Sequence, residues 1–198
     1  MMILFNPIIL RMIYIVNNGT SILEKIVDHV KGHGFESNIL EVSQLEGHDF
    51  SLAKGVILSG GPAHLSQQSQ EEREDYLSHF AFVKNIEVPV LGICLGHQIM
   101  GLLYGSGIDS GEVIDGHFSV DILEEGHLFS GVESPSVFMQ QHSDFVGVPE
   151  GFQKMAGSET CHNEAMQCPT RRRYGVQFHP EASGEHGRRL IWNFLDLC

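Results

Sequence analysis

Gly92-Ile93-Cys94-Leu95-Gly96 sets a thiol between two glycines, directly after the apolar run Val88-Pro89-Val90-Leu91. A cysteine reacts as its thiolate, and the positive end of a helix dipole favours that anion. A strand that turns sharply into a helix also needs small neighbours, which Gly92 and Gly96 provide. The competing reading of a free cysteine is a buried structural residue, and only a general base within reach decides between the two. His179 is the candidate base, in Gln177-Phe178-His179-Pro180-Glu181 after the strand-like run Tyr174-Gly175-Val176. Glu181 follows it at a spacing that, in extended chain, points to the same side. Its carboxylate can accept the second ring N–H, fix the tautomer and stabilise the imidazolium. Ser59-Gly60-Gly61-Pro62 ends another apolar run. A backbone N–H of Gly60 or Gly61, together with that of Leu95, suits the oxyanion of a tetrahedral intermediate.

Such groups need strand ends to carry them, and the order of elements supplies these. Met12 to Val16 is a short β-branched run that reads as a buried parallel strand, and Asn17-Asn18-Gly19 turns the chain. Ser21 and Glu24 have capping-box spacing, and Ile22, Leu23, Ile26, Val27 and Val30 form a helical stripe ending near Gly32 or Gly34. Phe35 to Val42 and Gly55 to Leu58 predict the second and third strands, Glu71 to Asn85 a helix, and Val88 to Ile93 a fourth strand running into Cys94. Leu95 to Tyr104 reads as helix. Between Glu112 and Gln167 the pattern changes to short strand-like runs: Phe118 to Leu123, Ser136 to Gln140, Phe152 to Gly157 and Glu164 to Gln167. Tyr174 to Phe178 predicts a further strand, and Glu185 to Leu197 a final helix with Leu190, Ile191, Phe194 and Leu195 facing the core. The expected class is α/β: a flavodoxin-like, open, mostly parallel sheet with helices on both faces and a small mixed or antiparallel extension. Cys94 would stand at the carboxyl end of that sheet, where open α/β sheets hold their sites.

Composition narrows the partners. The 198 residues suit one domain with a sizeable core. Twelve Lys and Arg against 25 Asp and Glu give a formal charge of −13, a surface that repels phosphate backbones and anionic membranes. Nucleic acid and membrane are therefore not expected partners. Arg171-Arg172-Arg173 reads as a solvated turn after Pro169-Thr170. Cys94, Cys161, Cys168 and Cys198 contain no C-x-x-C pair, and Cys161-His162 with Cys168 fits no common zinc spacing, so no metal is expected. Free thiols and the lack of a convincing secretion signal point to a reducing, cytoplasmic setting. Residues 1–11 are apolar but broken by Asn6-Pro7 and too short to span a bilayer; they read as an N-terminal extension, with the domain running over 12–198.

Taken in order, Ser59-Gly60-Gly61-Pro62, Gly92-Ile93-Cys94-Leu95-Gly96-His97-Gln98 and Gly175-Val176-Gln177-Phe178-His179-Pro180-Glu181 resemble the motifs of the class I (triad) glutamine amidotransferases. The likeness spans about Met12 to Cys198. It implies a Cys94-His179-Glu181 triad, an oxyanion hole at Gly61 and Leu95, and Gln98 beside bound glutamine. Gln141-His142-Ser143-Asp144 matches the segment whose backbone holds the α-carboxylate and amine of glutamine. The implied reaction releases ammonia from glutamine through a Cys94 thioester. Within the family the likeness is to the amidotransferase domain or subunit of GMP synthetase, carried by Val56 to Pro62, His142 to Val146 and Asn193 to Cys198. Two segments depart from that branch: Asn17-Asn18-Gly19-Thr20-Ser21 stands in place of D-N-G-G-Q, and His117-Phe118 in place of a Phe-Gly. The sequence has no P-loop, so ATP and Mg2+ are expected only on a separate ATP-pyrophosphatase or synthetase subunit working in trans, with no cofactor in this chain. A stand-alone γ-glutamyl hydrolase and a non-catalytic binding or regulatory module of the same fold are the alternatives.

Overall fold

A computed structural model describes residues 12–198; the expected N-terminal extension lies outside the described residues. Among the described residues the sheet has nine strands in the order β2-β1-β3-β4-β9-β8-β7-β5-β6. Its parallel half comprises β2 (Glu36–Glu41), β1 (Met12–Asn17), β3 (Ala53–Leu58), β4 (Val90–Ile93) and β9 (Arg173–Val176). The rest is antiparallel: β8 (Ala165–Cys168), β7 (Gln153–Gly157), β5 (Ile108–Ile122) and β6 (Ser136–Val146). The expected fold class holds, and the antiparallel extension continues the same sheet.

Side-chain alternation along the parallel strands divides the core in two. Ile13, Ile15, Ile57, Leu91, Ile93, Tyr174 and Val176 point to one face, where α1 (Leu23–Gly32) and α4 (Gly184–Leu195) cover them with Ile26, Val30, Leu190, Ile191, Phe194 and Leu195. Tyr14, Val16, Val56, Leu58 and Val90 point to the other, beneath Leu95, Ile99 and Met100 of α3 (Leu95–Leu103) and Phe80 and Val83 of the preceding connection. Each fully buried aliphatic or aromatic side chain contributes about 1.5–3 kcal/mol, so the reactive loops rest on a stiff, apolar base.

Several local expectations change. The helix expected over 71–85 stops early: α2 (Gln70–Ser78) buries no residue, and the chain re-turns as a short 3-10 helix, Ala81–Lys84, that lets Phe80 and Val83 reach the core. The Ser21–Glu24 capping box does not form, because α1 begins at Leu23 with Thr20 Oγ1 accepting from the Ile22 N–H. That motif occurs instead at Ser69 and Glu72, at the start of α2. The arginine turn is only partly solvated. Arg173 is 2% exposed, and its guanidinium donates to the carbonyls of Val83, Ile86 and Val88, tying the connection before β4 to the neighbouring strand. Finally, β5 and β6 are much longer than the runs that predicted them, and Gln141 to Asp144 lie inside β6.

Candidate active site

The strand pair β4–β9 lays out the site. Ile93 pairs with Val176, and the Cys94 N–H donates to the Val176 carbonyl at 2.8 Å. The chain then leaves β4 through Cys94 at φ 50° and ψ −106°, a sparsely populated region for a residue with a side chain. The turn is possible because of its neighbours. A Cβ on Gly92 would strike the Gly96 carbonyl, and one on Gly96 would strike the Leu58 carbonyl. Cys94 thus stands at the N-terminus of α3, largely buried, on the wall of a cavity of about 630 Å3.

His179 reaches the same cavity from the end of β9. Its backbone is held by the antiparallel half: its N–H donates to the Met139 carbonyl at 2.7 Å, and its carbonyl accepts from Ser183 Oγ at 2.6 Å. The Met139 N–H donates to the same Ser183 oxygen, which closes the clamp. His179 Nδ1 lies 2.8 Å from Glu181 Oε1. Glu181 arrives there from a 3-10 turn at Pro180–Ala182; the extended path assumed from its spacing is not the one taken. Burial works against a charged His179 ring, but hydrogen bonds to Cys94 and Glu181, with the charges of both, outweigh it and push the ring up to about 10. The arrangement favours a protonated His179 ring held between Cys94 and Glu181.

Ser59 to Pro62 follow β3 and lie against both groups. A Cβ on Gly60 would come 2.8 Å from His179 Cε1 and 3.5 Å from Cys94 Cβ; one on Gly61 would strike the Asn18 carbonyl. Ser59 Oγ accepts from the Asn18 N–H and donates to the Gly60 carbonyl, while Asn18 Nδ2 donates to the Ser59 carbonyl at 2.7 Å. Asn18, in the turn after β1, is therefore the bolt that holds this glycine loop. Gly61 lines the cavity, whereas Gly60 and Leu95 sit beside Cys94 without lining it.

β6 closes the opposite wall. Gln98, His142, Ser143 and Asp144 all line the cavity, as does Gln141, whose carbonyl lies 3.7 Å from Cys94 Sγ. Gln98 Nε2 donates to the Asp144 carbonyl at 2.8 Å, so its amide braces the strand. The Asp144 carboxylate accepts from the Ser66 N–H and Oγ at 2.9 and 2.7 Å. Ser143 Oγ lies 3.3 Å from His64 Nδ1 at the rim. Gln140 Nε2 donates to Glu164 Oε1, which leaves Gln140 Oε1 to accept from His142 Nε2 at 3.0 Å and assigns the proton of that ring to Nε2. Burial pushes His142 down to about 4, with the nearby His179 charge acting in the same sense, so it is neutral at pH 7. Burial also raises Glu164, whose Oε1 accepts from Ser158 and Gln140.

Of the ten residues singled out from the sequence, Cys94, His179, Gly61, Gln98, His142, Ser143 and Asp144 line one cavity, Gly60 and Leu95 lie beside Cys94, and Glu181 meets the site through His179. Sequence reasoning missed Ser183, Gln140, Glu164 and Asn18, which carry no local signature, and gave no role to Gln177 although it stands in the histidine motif.

Comparison with known proteins gives the chain a family. The family model described as glutamine amidotransferase class-I matches residues 14–197. A subunit of the glutamine-hydrolysing GMP synthase of Pyrococcus abyssi is 36% identical over 191 residues, covering 94% of this chain and 98% of that protein. The corresponding Methanosarcina barkeri protein is 41% identical over 149 residues, 73% of each chain. Among solved structures, a Thermoplasma acidophilum protein assigned to the same GMP synthase component superposes with a TM-score of 0.82 at 27% identity, covering 96% of this chain and 94% of that one.

Proposed function

Since the chain belongs to the class-I glutamine amidotransferase family, we propose that it is the glutamine-hydrolysing subunit of a two-chain synthetase that makes GMP. The observation that carries the chemistry is the Cys94–His179–Glu181 array, with His179 Nδ1 2.8 Å from Glu181. Cys94 Sγ attacks the side-chain carboxamide carbon of glutamine, and the oxyanion is received by backbone N–H groups of the Gly60-Gly61 loop and Leu95. The His179 imidazolium gives its proton to the departing nitrogen, and ammonia leaves a glutamyl thioester on Cys94. Neutral His179 then takes a proton from water, the hydroxide displaces sulfur, and glutamate and the thiolate–imidazolium pair are restored. His142, Ser143 and Asp144 frame the amino-acid end of the substrate, with Gln98 bracing them.

The relatives are named as one subunit of GMP synthase, which supports a partner chain. We assign to that partner the ATP-pyrophosphatase chemistry, with ATP and Mg2+ bound there. The partner covers the cavity mouth so that ammonia passes to the nucleotide before solvent protonates it. Four free cysteines suit a reducing cytosol, and among the described residues no helix is long and apolar enough to cross a membrane.

The test is glutamate release measured with the chain alone and with an ATP-pyrophosphatase partner plus its nucleotide. Slow release alone and a rise of at least about tenfold with the partner are expected, a coupling of modest size. Rapid partner-free turnover of a γ-glutamyl compound other than glutamine would contradict the subunit role and favour a stand-alone hydrolase.

A further inference from the structure

Gln177 is fully buried beside the nucleophile, and the register of the sheet puts it there. Ile93 and Val176 are paired across β4 and β9, so Cys94 and Gln177 are the next residues out of the two strands. Gln177 Nε2 lies 3.7 Å from Cys94 Sγ, a hydrogen-bond distance for the large sulfur atom. The orientation of this amide follows from its neighbours. The Asp144 carbonyl can only accept, so the group of Gln98 facing it at 2.8 Å is its NH2. That same nitrogen is 3.3 Å from the Gln177 side chain, which must present its oxygen there and its NH2 to the sulfur. A flipped Gln177 would set NH2 against NH2 at one end and oxygen against sulfur at the other.

The sulfur has a second neighbour with the opposite preference. The Gln141 carbonyl at 3.7 Å can accept from a thiol S–H but offers nothing to a thiolate. The Gln177 amide offers a donor, which is worth most when the sulfur carries the charge.

We propose that Gln177 is a catalytic residue, its amide N–H stabilising Cys94 Sγ as the thiolate that attacks substrate, with Gln98 as the positioning residue that sets the direction of the amide. This rests on the reading of Cys94 as the nucleophile. The competing role for a buried glutamine is to satisfy packing and hydrogen bonds alone, and such a role would leave the reactivity of the sulfur untouched.

The test is the rate of Cys94 alkylation by iodoacetamide as a function of pH, read by peptide mass, in the wild-type chain, Gln177→Leu, Gln177→Glu and Gln98→Leu. Loss of a hydrogen bond to a charged group predicts about ten- to a hundredfold slower alkylation near neutral pH for Gln177→Leu. The pH profile should move to the alkaline side by about one unit or more. Gln177→Glu should move it further and Gln98→Leu less, in the same direction. The kcat for glutamine should fall in parallel while KM stays within about twofold, the mark of an interaction made with the reacting atoms. A folded Gln177→Leu chain whose alkylation profile and kcat overlay the wild type would overturn the proposal.

Should that variant not fold, the side-chain amide signals of Gln177 in the wild-type NMR spectrum serve instead. They should move as pH is varied and stay fixed in Cys94→Ser; signals indifferent to that substitution would also overturn it. Alkylation needs no glutamine, so the two readings fail separately. A Cys94→Ala chain that still hydrolyses glutamine removes the nucleophile and the proposal together, whereas an unmoved profile with Cys94 essential removes Gln177 alone.

Discussion

The two halves of the sheet meet at one thiol but are built on different physics. The parallel half is packed mainly with apolar side chains, and Cys94 after β4, His179 after β9 and Gly60-Gly61 after β3 stand at its strand ends. The antiparallel half is laced with buried polar side chains. His142 is held by Gln140, Gln140 by Glu164, and Glu164 by Ser158, while Gln98 and Ser66 pin Asp144. A hydrophobic base holds atoms that must not move during bond making. On the proposed function, a hydrogen-bonded wall presents donors and acceptors to the amino-acid end of the substrate. The expected division is that damage to the parallel half lowers kcat, whereas damage to the antiparallel half raises KM. The β8–β9 pairing joins the halves, and the His179 clamp through Met139 and Ser183 adds a second tie at the site.

Substitutions can break this division, and the largest effect belongs to the base. His179→Ala should lower kcat by about 10,000-fold or more, measured as glutamate release, because residues that act as a unit fail together. Glu181→Gln should leave a measurable remnant, since the ring keeps a neutral partner. Next comes Gly60→Ala, whose added methyl would lie 2.8 Å from His179 Cε1; a loss of about 100- to 1,000-fold in kcat is expected, on the scale of losing an oxyanion donor. Gln140→Leu strikes the other half. It frees the His142 ring and removes one of the two bonds to Glu164, and should raise KM by about tenfold with kcat nearly held, a cost of about 1.4 kcal/mol in binding. If Gln140→Leu lowered kcat as Gly60→Ala does while leaving KM alone, the division between the halves would be wrong.

Smaller effects concern stability. Two histidines, one on each side of the junction, are held neutral: burial takes His97 to about 3 and His142 to about 4, both from an ordinary value of 6.5. In acid the unfolded chain takes up these protons and the folded chain does not, so their contribution to stability is present above pH 6.5 and is lost as pH falls towards those values. Each should contribute a slope of about 1.4 kcal/mol per pH unit between roughly pH 6 and 5. Urea melts of His97→Asn against wild type at a series of pH values would show this as a shallower dependence.

The parallel half was legible in the sequence because its signals are local. β-branched runs, glycines at strand ends and the Gly-x-Cys-x-Gly turn each announce themselves within a few residues. The antiparallel half was not, because its order lies in pairing. Asp109, Ser110, Gly111 and Glu112 are exposed and have no strand character of their own, yet they belong to β5. Glu164 and Gln140 look like surface residues until a partner appears across the fold. Arg173 makes the same point from within the parallel half: nothing in three consecutive arginines says which one will be buried under three carbonyls. At the site, the motif positions were readable while the bolts behind them, Asn18 and Ser183, were not, since they tie together segments 41 and 44 residues apart in sequence.

The central claim is that Cys94 becomes covalently attached to the glutamyl group of its substrate. Acid quenching of the chain during turnover with glutamine, followed by mass analysis of the peptide that contains Cys94, tests it most directly. One glutamyl group on that peptide is predicted, absent in Cys94→Ala and lost on treatment with hydroxylamine. Steady release of glutamate by Cys94→Ala, or a glutamyl group carried on any other residue, would contradict the account.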